Sequence, residues 1–254
     1  MSKITDSIKL IQDAEKLALK YNDFGFHLAF SGGKDSQVIY ELCKMAGVKF
    51  KAFFYKTSVD PKELLSFIRF NYPSVEWIKP KMSMFALIVK KKSLPQMNRR
   101  FCCEVLKERN GLNSVVITGI RKAESAKRAK RKKFEQSCKV GKDKNLLNPI
   151  IEWLDSDVYS FLADRNIPLC ILYETQKRIG CIGCPMNHKN QRIDFNNRPA
   201  FKKAYTFSVQ KLMDIGKYKA FENADDVISW WTSGLSCKVY LANKLQMKIK
   251  YPDL

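Results

Sequence analysis

Hydrophobic and polar positions switch between two periods along this chain. From residue 3 to 21, apolar side chains recur at steps of three and four at Ile4, Ile8, Ile11, Ala14 and Leu17, with Leu19 following. That spacing predicts an amphipathic helix. Residues 25–30 are a short apolar run of strand length, and residues 36–45 return to helical spacing, ending near Gly47. "VKFKAFFY" predicts the next strand. "DPKELLSFIRFNY" predicts a helix with Asp60 as N-cap and Pro61 in its first turn. "VEWIK" reads as a third strand, residues 82–92 and 98–109 as helices, and "SVVITG" (114–119) as a further buried strand. From about residue 150 the pattern is mostly helical. Strands alternating with helices predict an α/β fold with a doubly wound parallel sheet. Such sheets bind ligands outside the carboxyl ends of their strands. The turns after Phe30 and Ile117 fall at that edge.

The first of those turns is Ser31-Gly32-Gly33-Lys34-Asp35-Ser36. Glycines let backbone N–H groups approach an anion, and the following helix adds unpaired donors and the positive end of its dipole. Ser31 and Ser36 add hydroxyls, and Lys34 adds a full charge. The string predicts a phosphate cradle. It is not a Walker A loop, which places four residues between its first Gly and the Gly-Lys pair.

Charge and cysteine content sharpen this picture. The 254 residues carry 46 Lys and Arg against 25 Asp and Glu, a formal charge of +21. Such an excess favours a polyanionic partner, above all nucleic acid. The densest run, "RKAESAKRAKRKK" (121–133), follows the second turn; a solvated charged face is its plainer reading. No apolar run approaches the roughly 20 residues that span a bilayer. The first residues are charged throughout, without a signal-peptide core. The expectation is a cytoplasmic protein with no membrane partner. Eight cysteines then point to metal or redox chemistry rather than disulfides. Cys102-Cys103 and Cys181-x-x-Cys184 stand out by spacing. Cys43 reads as core packing, and Cys138, Cys170 and Cys237 have no close cysteine neighbour. His27 reads as structural on an apolar strand, and Trp230 and Trp231 as core.

The string at 31–36 resembles the PP-loop of the ATP pyrophosphatases, the adenine nucleotide alpha-hydrolase group. "SVVITGIRKAESAKRAK" resembles the Thr-Gly-x-Arg…Ser…Arg segment of the phosphoadenosine phosphosulfate (PAPS) reductase family. "LLNPIIEWLDSDVYSFLADRNIPLCILYETQKRIGCIGCPM" resembles that family's next segment. The resemblance spans about residues 24–205. It implies an N-terminal helix at 1–23, a PP-loop domain at 24–205 and a helical extension at 206–254. It implies ATP cleaved between its alpha and beta phosphates, with Mg²⁺. Lys34, Asp35 and Arg121 would be catalytic. Ser31, Gly32, Gly33, Ser36, Thr118, Gly119, Ser125 and Arg128 would complete the nucleotide site. The cysteine spacing resembles the cluster motif of adenylyl sulfate reductases, which implies a [4Fe–4S] cluster on Cys102, Cys103, Cys181 and Cys184. Zinc and plain thiols are the competing readings. Lys107, one turn beyond Cys103, is either near that group or a solvated helix lysine.

Two departures from the sulfonucleotide reductases matter. Their C-terminal Glu-Cys-Gly-x-His motif is absent, and Cys237 has no histidine beside it. Their loop is generally degraded, whereas Lys34, Asp35 and Ser36 are all present here. Both favour the family's iron–sulfur enzymes of DNA phosphorothioation and the related tRNA thiolation enzymes. The leading expectation is sulfur transfer to DNA or tRNA, with a sulfur-donor protein such as a cysteine desulfurase as a further partner. The alternatives are a sulfonucleotide reductase releasing sulfite and a nucleotide-sensing module.

Overall fold

The computed structural model describes residues 2–136 and 144–250; Cys138 lies outside them. The chain divides into two compact units. The first comprises residues 1–56, 62–79 and 104–179; the second comprises residues 57–61, 80–103 and 180–254.

The first unit is built on a sheet of six strands: β1 (Phe26–Ala29), β2 (Phe50–Tyr55), β3 (Glu76–Ile78), β4 (Ser114–Ile117), β5 (Phe134–Gln136) and β6 (Lys144–Leu147), in the order β3-β2-β1-β4-β6-β5. All pairings are parallel except β5 against β6. The fold is α/β with a mostly parallel sheet, as the alternating pattern predicts. Helices α1 (Lys3–Tyr21), α2 (Lys34–Ala46) and α3 (Lys62–Asn71) belong to this unit. The pleat sorts the strands. Phe26, Leu28, Ala52, Phe54, Val115 and Ile117 share the main core with Ile11 of α1 and Val38, Ile39, Leu42 and Cys43 of α2. Cys43 is fully buried there. His27, one residue out of step, stacks on Phe53 with ring centroids 4.2 Å apart and bonds the Tyr55 hydroxyl.

Three expectations need correction. Helix α2 starts at Lys34, so Lys34 and Asp35 form its first turn instead of preceding it. The segment read as a helix over 98–109 holds only a short turn, α5 (Phe101–Cys103), followed by a π-helical turn, Glu104–Glu108. Asp60 does not cap α3; its carboxylate accepts from the Thr57 amide and hydroxyl, both at 2.7 Å, and closes its own turn. The β5–β6 pair was not foreseen, because strands of three and four residues beside a charge run leave too little alternation to detect.

The second unit is helical: α4 (Met84–Lys91) and α5, then, beyond α6 (Ala126–Ala129) and α7 (Asp155–Asp164) of the first unit, α8 (His188–Asn197), α9 (Pro199–Asp214), α10 (Ala224–Ser233) and α11 (Cys237–Lys250). Its core joins Phe195 and Tyr205 to Trp231, whose indole N–H donates to the Pro95 carbonyl at 2.7 Å. Among the described residues no helix is long and apolar enough to cross a membrane.

Candidate functional site

Strand β1 ends on the core, and the chain must then turn sharply into α2. Gly32 makes that turn at φ +71°, where a Cβ would lie 2.7 Å from carbons of Leu64 and Ile68. Only glycine meets both demands without strain. The two hydroxyls knit the turn. Ser36 Oγ donates to the Gly33 carbonyl at 2.8 Å and accepts from the Ser31 amide at 3.2 Å. Ser31 Oγ donates to Ser36 Oγ and accepts from the Gly33 amide. The hydroxyls thus shape the loop, while the helix N-terminus carries its donors. The Lys34 amide donates to the Tyr173 hydroxyl at 2.8 Å.

The charged groups form one network. Lys34 is buried, and its ammonium lies 3.3 Å from the Asp35 carboxylate and 2.9 Å from Asp155 Oδ1. Arg121, only 1% exposed, donates from Nε to Asp35 at 2.7 Å, from Nη2 to Asp155 at 2.7 Å, and to the Trp153 carbonyl. Burial works against its charge, but the two carboxylates outweigh that and raise its pKa. The hydrogen bond from Lys34 holds the Asp155 carboxyl below its usual range. Burial pushes the Tyr173 hydroxyl up, so it keeps its proton near neutrality. Two cations and two carboxylates thus converge on the first turn of α2. Gly119 belongs to the same construction, since a Cβ there would come within 2.9 Å of Asp35.

The other residues proposed from sequence divide. Thr118 Oγ1 donates to Asn148 Oδ1 at 2.5 Å and so ties β4 to the residue after β6. Ser125 caps α6 by accepting from the Arg128 amide, and Arg128 pairs with Glu124. These two are engaged within their own segment rather than with the loop. The basic run is not one face: Arg121 points inward, Lys122 and Arg131 pair with Glu152 and Glu135, and Lys127, Lys130, Lys132 and Lys133 are exposed. Asp155 and Tyr173 were missed. Their only sequence signals are an acid beside Trp153 at the start of a helix and a Leu-Tyr pair.

All four motif cysteines lie in the helical unit. Cys102 is buried; the hydrogen bond its thiol donates to Cys103, then burial, then the charges of Cys103, Cys181 and Cys184 push that thiol up. The four sulfurs are therefore near enough to feel one another. Among the described residues, no three His, Cys, Asp or Glu side chains stand ready-arranged as a metal site. The Cys181–Cys184 turn is firmly held. The Ile182 amide donates to the Val59 carbonyl at 2.8 Å, the Tyr205 hydroxyl donates to the Ile182 carbonyl, and Cys181 Sγ lies 3.5 Å from Thr57 Oγ1. Gly183 turns at φ +71°, with Phe195 where a side chain would go.

Comparison with known families decides the membership. The phosphoadenosine phosphosulfate reductase domain model matches residues 25–187. The chain belongs to this family. Among relatives of this PAPS reductase-domain chain, the Methanocaldococcus jannaschii protein MJ0066 is 32% identical over 171 residues, 62% of this chain and 35% of that one. MJ0973 of the same organism is 25% identical over 84% of this chain and 52% of its own length. A probable FAD synthase of Schizosaccharomyces pombe is 26% identical over 65% of this chain and 64% of its own length. The chain thus spans between about a third and two thirds of these relatives. Candida glabrata FMN adenylyltransferase, solved with FAD and inorganic pyrophosphate, shares the fold at a TM-score of 0.53 and 18% identity, over 73% of this chain and 65% of that one. Candida auris PAPS reductase, solved with phosphate, does so at 0.50 and 18%, over 67% and 87%. The fold is adenine nucleotide alpha-hydrolase-like.

Proposed function

We propose that the chain is an ATP-using enzyme that cleaves ATP between its alpha and beta phosphates and supports sulfur transfer to nucleic acid, of the DNA phosphorothioation or tRNA thiolation type. The observation that carries the first part is the convergence of Lys34 and Arg121 on the N-terminus of α2, where Gly32 lets the backbone turn. Such a site offers fixed positive charge to a leaving pyrophosphate, and preorganised charge is where most of a phosphoryl-type barrier is lowered. A related FAD synthase and a fold neighbour solved with FAD and pyrophosphate agree with that cleavage. Asp35 and Asp155 already face cations, so Mg²⁺ fits as the counter-ion of the nucleotide's phosphates, shared with one carboxylate, rather than as a resident ion.

The sulfur-transfer part rests on the four thiols and the charge. Cys102, Cys103, Cys181 and Cys184 supply four soft donors, the set that suits an iron–sulfur cluster or zinc. A [4Fe–4S] group held there would supply sulfur or electron chemistry. The exposed Lys127, Lys130, Lys132 and Lys133 offer a nucleic-acid backbone its counter-charge. A sulfur-donor protein completes the scheme. The test is pyrophosphate release from ATP with Mg²⁺, reduced protein and candidate DNA or tRNA. Formation of ADP and phosphate would refute it. Sulfite release from a sulfonucleotide would favour the reductase reading instead, which the family's name supports.

A further inference from the structure

A cleft of about 240 Å³ opens beside the loop, lined by Tyr159, Leu169, Cys170, Ile171, Tyr173 and Glu174. Two of its lining residues reach Lys34. The Tyr173 hydroxyl accepts from the Lys34 amide at 2.8 Å, and the Lys34 ammonium lies 5.7 Å from the centre of the Tyr159 ring. The volume is below the roughly 300 Å³ at which pockets for drug-sized ligands begin. It admits one ring system and not a whole nucleotide. The rim is apolar yet exposed: Ile171 is 62% and Tyr159 40% accessible. The exposed Lys177 and Arg178 follow in the same segment.

We propose that this cleft is a subsite for one unpaired base of the acceptor nucleic acid, a base that carries an exocyclic amino group. The inference rests on the nucleic-acid reading above. Aromatic walls stack on any base. Glu174 narrows the choice, because its carboxylate repels a backbone phosphate and accepts from an amino group. Adenine, cytosine and guanine have that group; thymine and uracil lack it. The adenine of ATP itself is a poorer occupant. It hangs from the alpha phosphate, whereas the cleft adjoins Lys34, which holds the opposite, leaving end of the triphosphate. A polynucleotide presents a base at every step and can seat one here while its backbone runs past Lys177 and Arg178.

The test uses the full chain, labelled oligo(dA) and oligo(dT) read by fluorescence anisotropy, and ATP read separately by calorimetry. Tyr159→Ala is expected to weaken oligo(dA) about five- to hundred-fold, the worth of one stacked base. Its salt slope should stay unchanged, since no phosphate contact is lost. Tyr159→Phe should restore binding. Glu174→Gln should erase a preference for oligo(dA) over oligo(dT). A parallel fall in ATP affinity with Tyr159→Ala would assign the cleft to ATP's own ring and overturn the proposal. Unchanged affinity for both would overturn it as well. If the wild-type chain binds no oligonucleotide even at low salt, the nucleic-acid reading itself fails, and not only the cleft.

Discussion

Asp155 is the residue on which the anion site turns, and replacing it with Asn should tighten pyrophosphate binding. Its Oδ1 lies 2.9 Å from the Lys34 ammonium and 2.7 Å from the Arg121 guanidinium, the two cations that phosphate oxygens would need. A bound phosphate and this carboxylate therefore compete. The Asp155 side chain is 69% exposed, so each pair has the strength of a surface ion pair, about 0.2–1 kcal/mol. Losing both removes a competitor worth about 0.4–2 kcal/mol, or roughly two- to thirtyfold in affinity. Asn keeps the size and one acceptor oxygen. Arg121 keeps Asp35 and the Trp153 carbonyl, so the fold should survive. The assay is calorimetric titration with pyrophosphate at low salt. The gain should shrink as salt rises, because an exposed charge is screened. Because Asp155 is held below its usual range, its competition is fully present at neutral pH and fades only as pH falls through that lowered value. Weaker pyrophosphate binding by Asp155→Asn would refute this reasoning and make Asp155 a group that positions the cations for the nucleotide.

Lys34→Ala should lower turnover of ATP to pyrophosphate by about a hundred- to thousandfold, more than it lowers nucleotide affinity, because its charge meets the leaving group; steady-state kinetics beside equilibrium binding checks this. Chain made anaerobically with ample iron should be brown with about four iron and four sulfide, and Cys181→Ser should bleach it; zinc without iron or sulfide would contradict the cluster. Replacing Lys130, Lys132 and Lys133 with Ala should flatten the salt dependence of nucleic-acid binding by about one unit of slope per lost phosphate contact; an unchanged slope leaves the run a solvated face. His27 is lowered to about 4, by burial first and by Lys144 second. Its unfolded form takes up a proton near pH 6.5, so stability is fully present above that pH and is lost as pH falls toward 4. His27→Phe should flatten the acid limb of a thermal-melt profile between those values, and an unchanged limb would show that other groups set it.

What was legible in the sequence was what is local in the chain. The string from Ser31 to Ser36 is contiguous, and its hydroxyl bonds and helix start are set by neighbours within five residues. Strands β1 to β4 could be read because short segments rich in aromatic or branched apolar residues mark them. Asp155 and Tyr173 reach the same site from 34 residues beyond Arg121 and 139 residues beyond Lys34. A single sequence holds no periodic trace of such a meeting. The helix expected over 98–109 failed for a different reason. Its composition suits a helix, but the Arg109 amide bonds the Glu104 carbonyl five residues back, which widens the turn. The charge run misled in part, because composition counts Arg121 with its neighbours while the fold buries it.

The two chemical groups of this chain are held by opposite means. The anion site is a local turn whose charges are tuned by its own Asp35 and by the distant Asp155. The thiol group is the reverse: its Cys181–Cys184 turn is held by a distant backbone bond. The Val59 carbonyl fixes Ile182 between Cys181 and Cys184, and Thr57 bridges the Cys181 sulfur to the buried Asp60. Residues 57–61 follow directly on β2, the strand beside β1, yet belong to the helical unit. The segment that positions the cysteine turn thus belongs to the same unit as the cysteines. A change in the length of that short segment would alter the thiol turn directly, while the bonds that shape the loop at 31–36 lie wholly within the first unit.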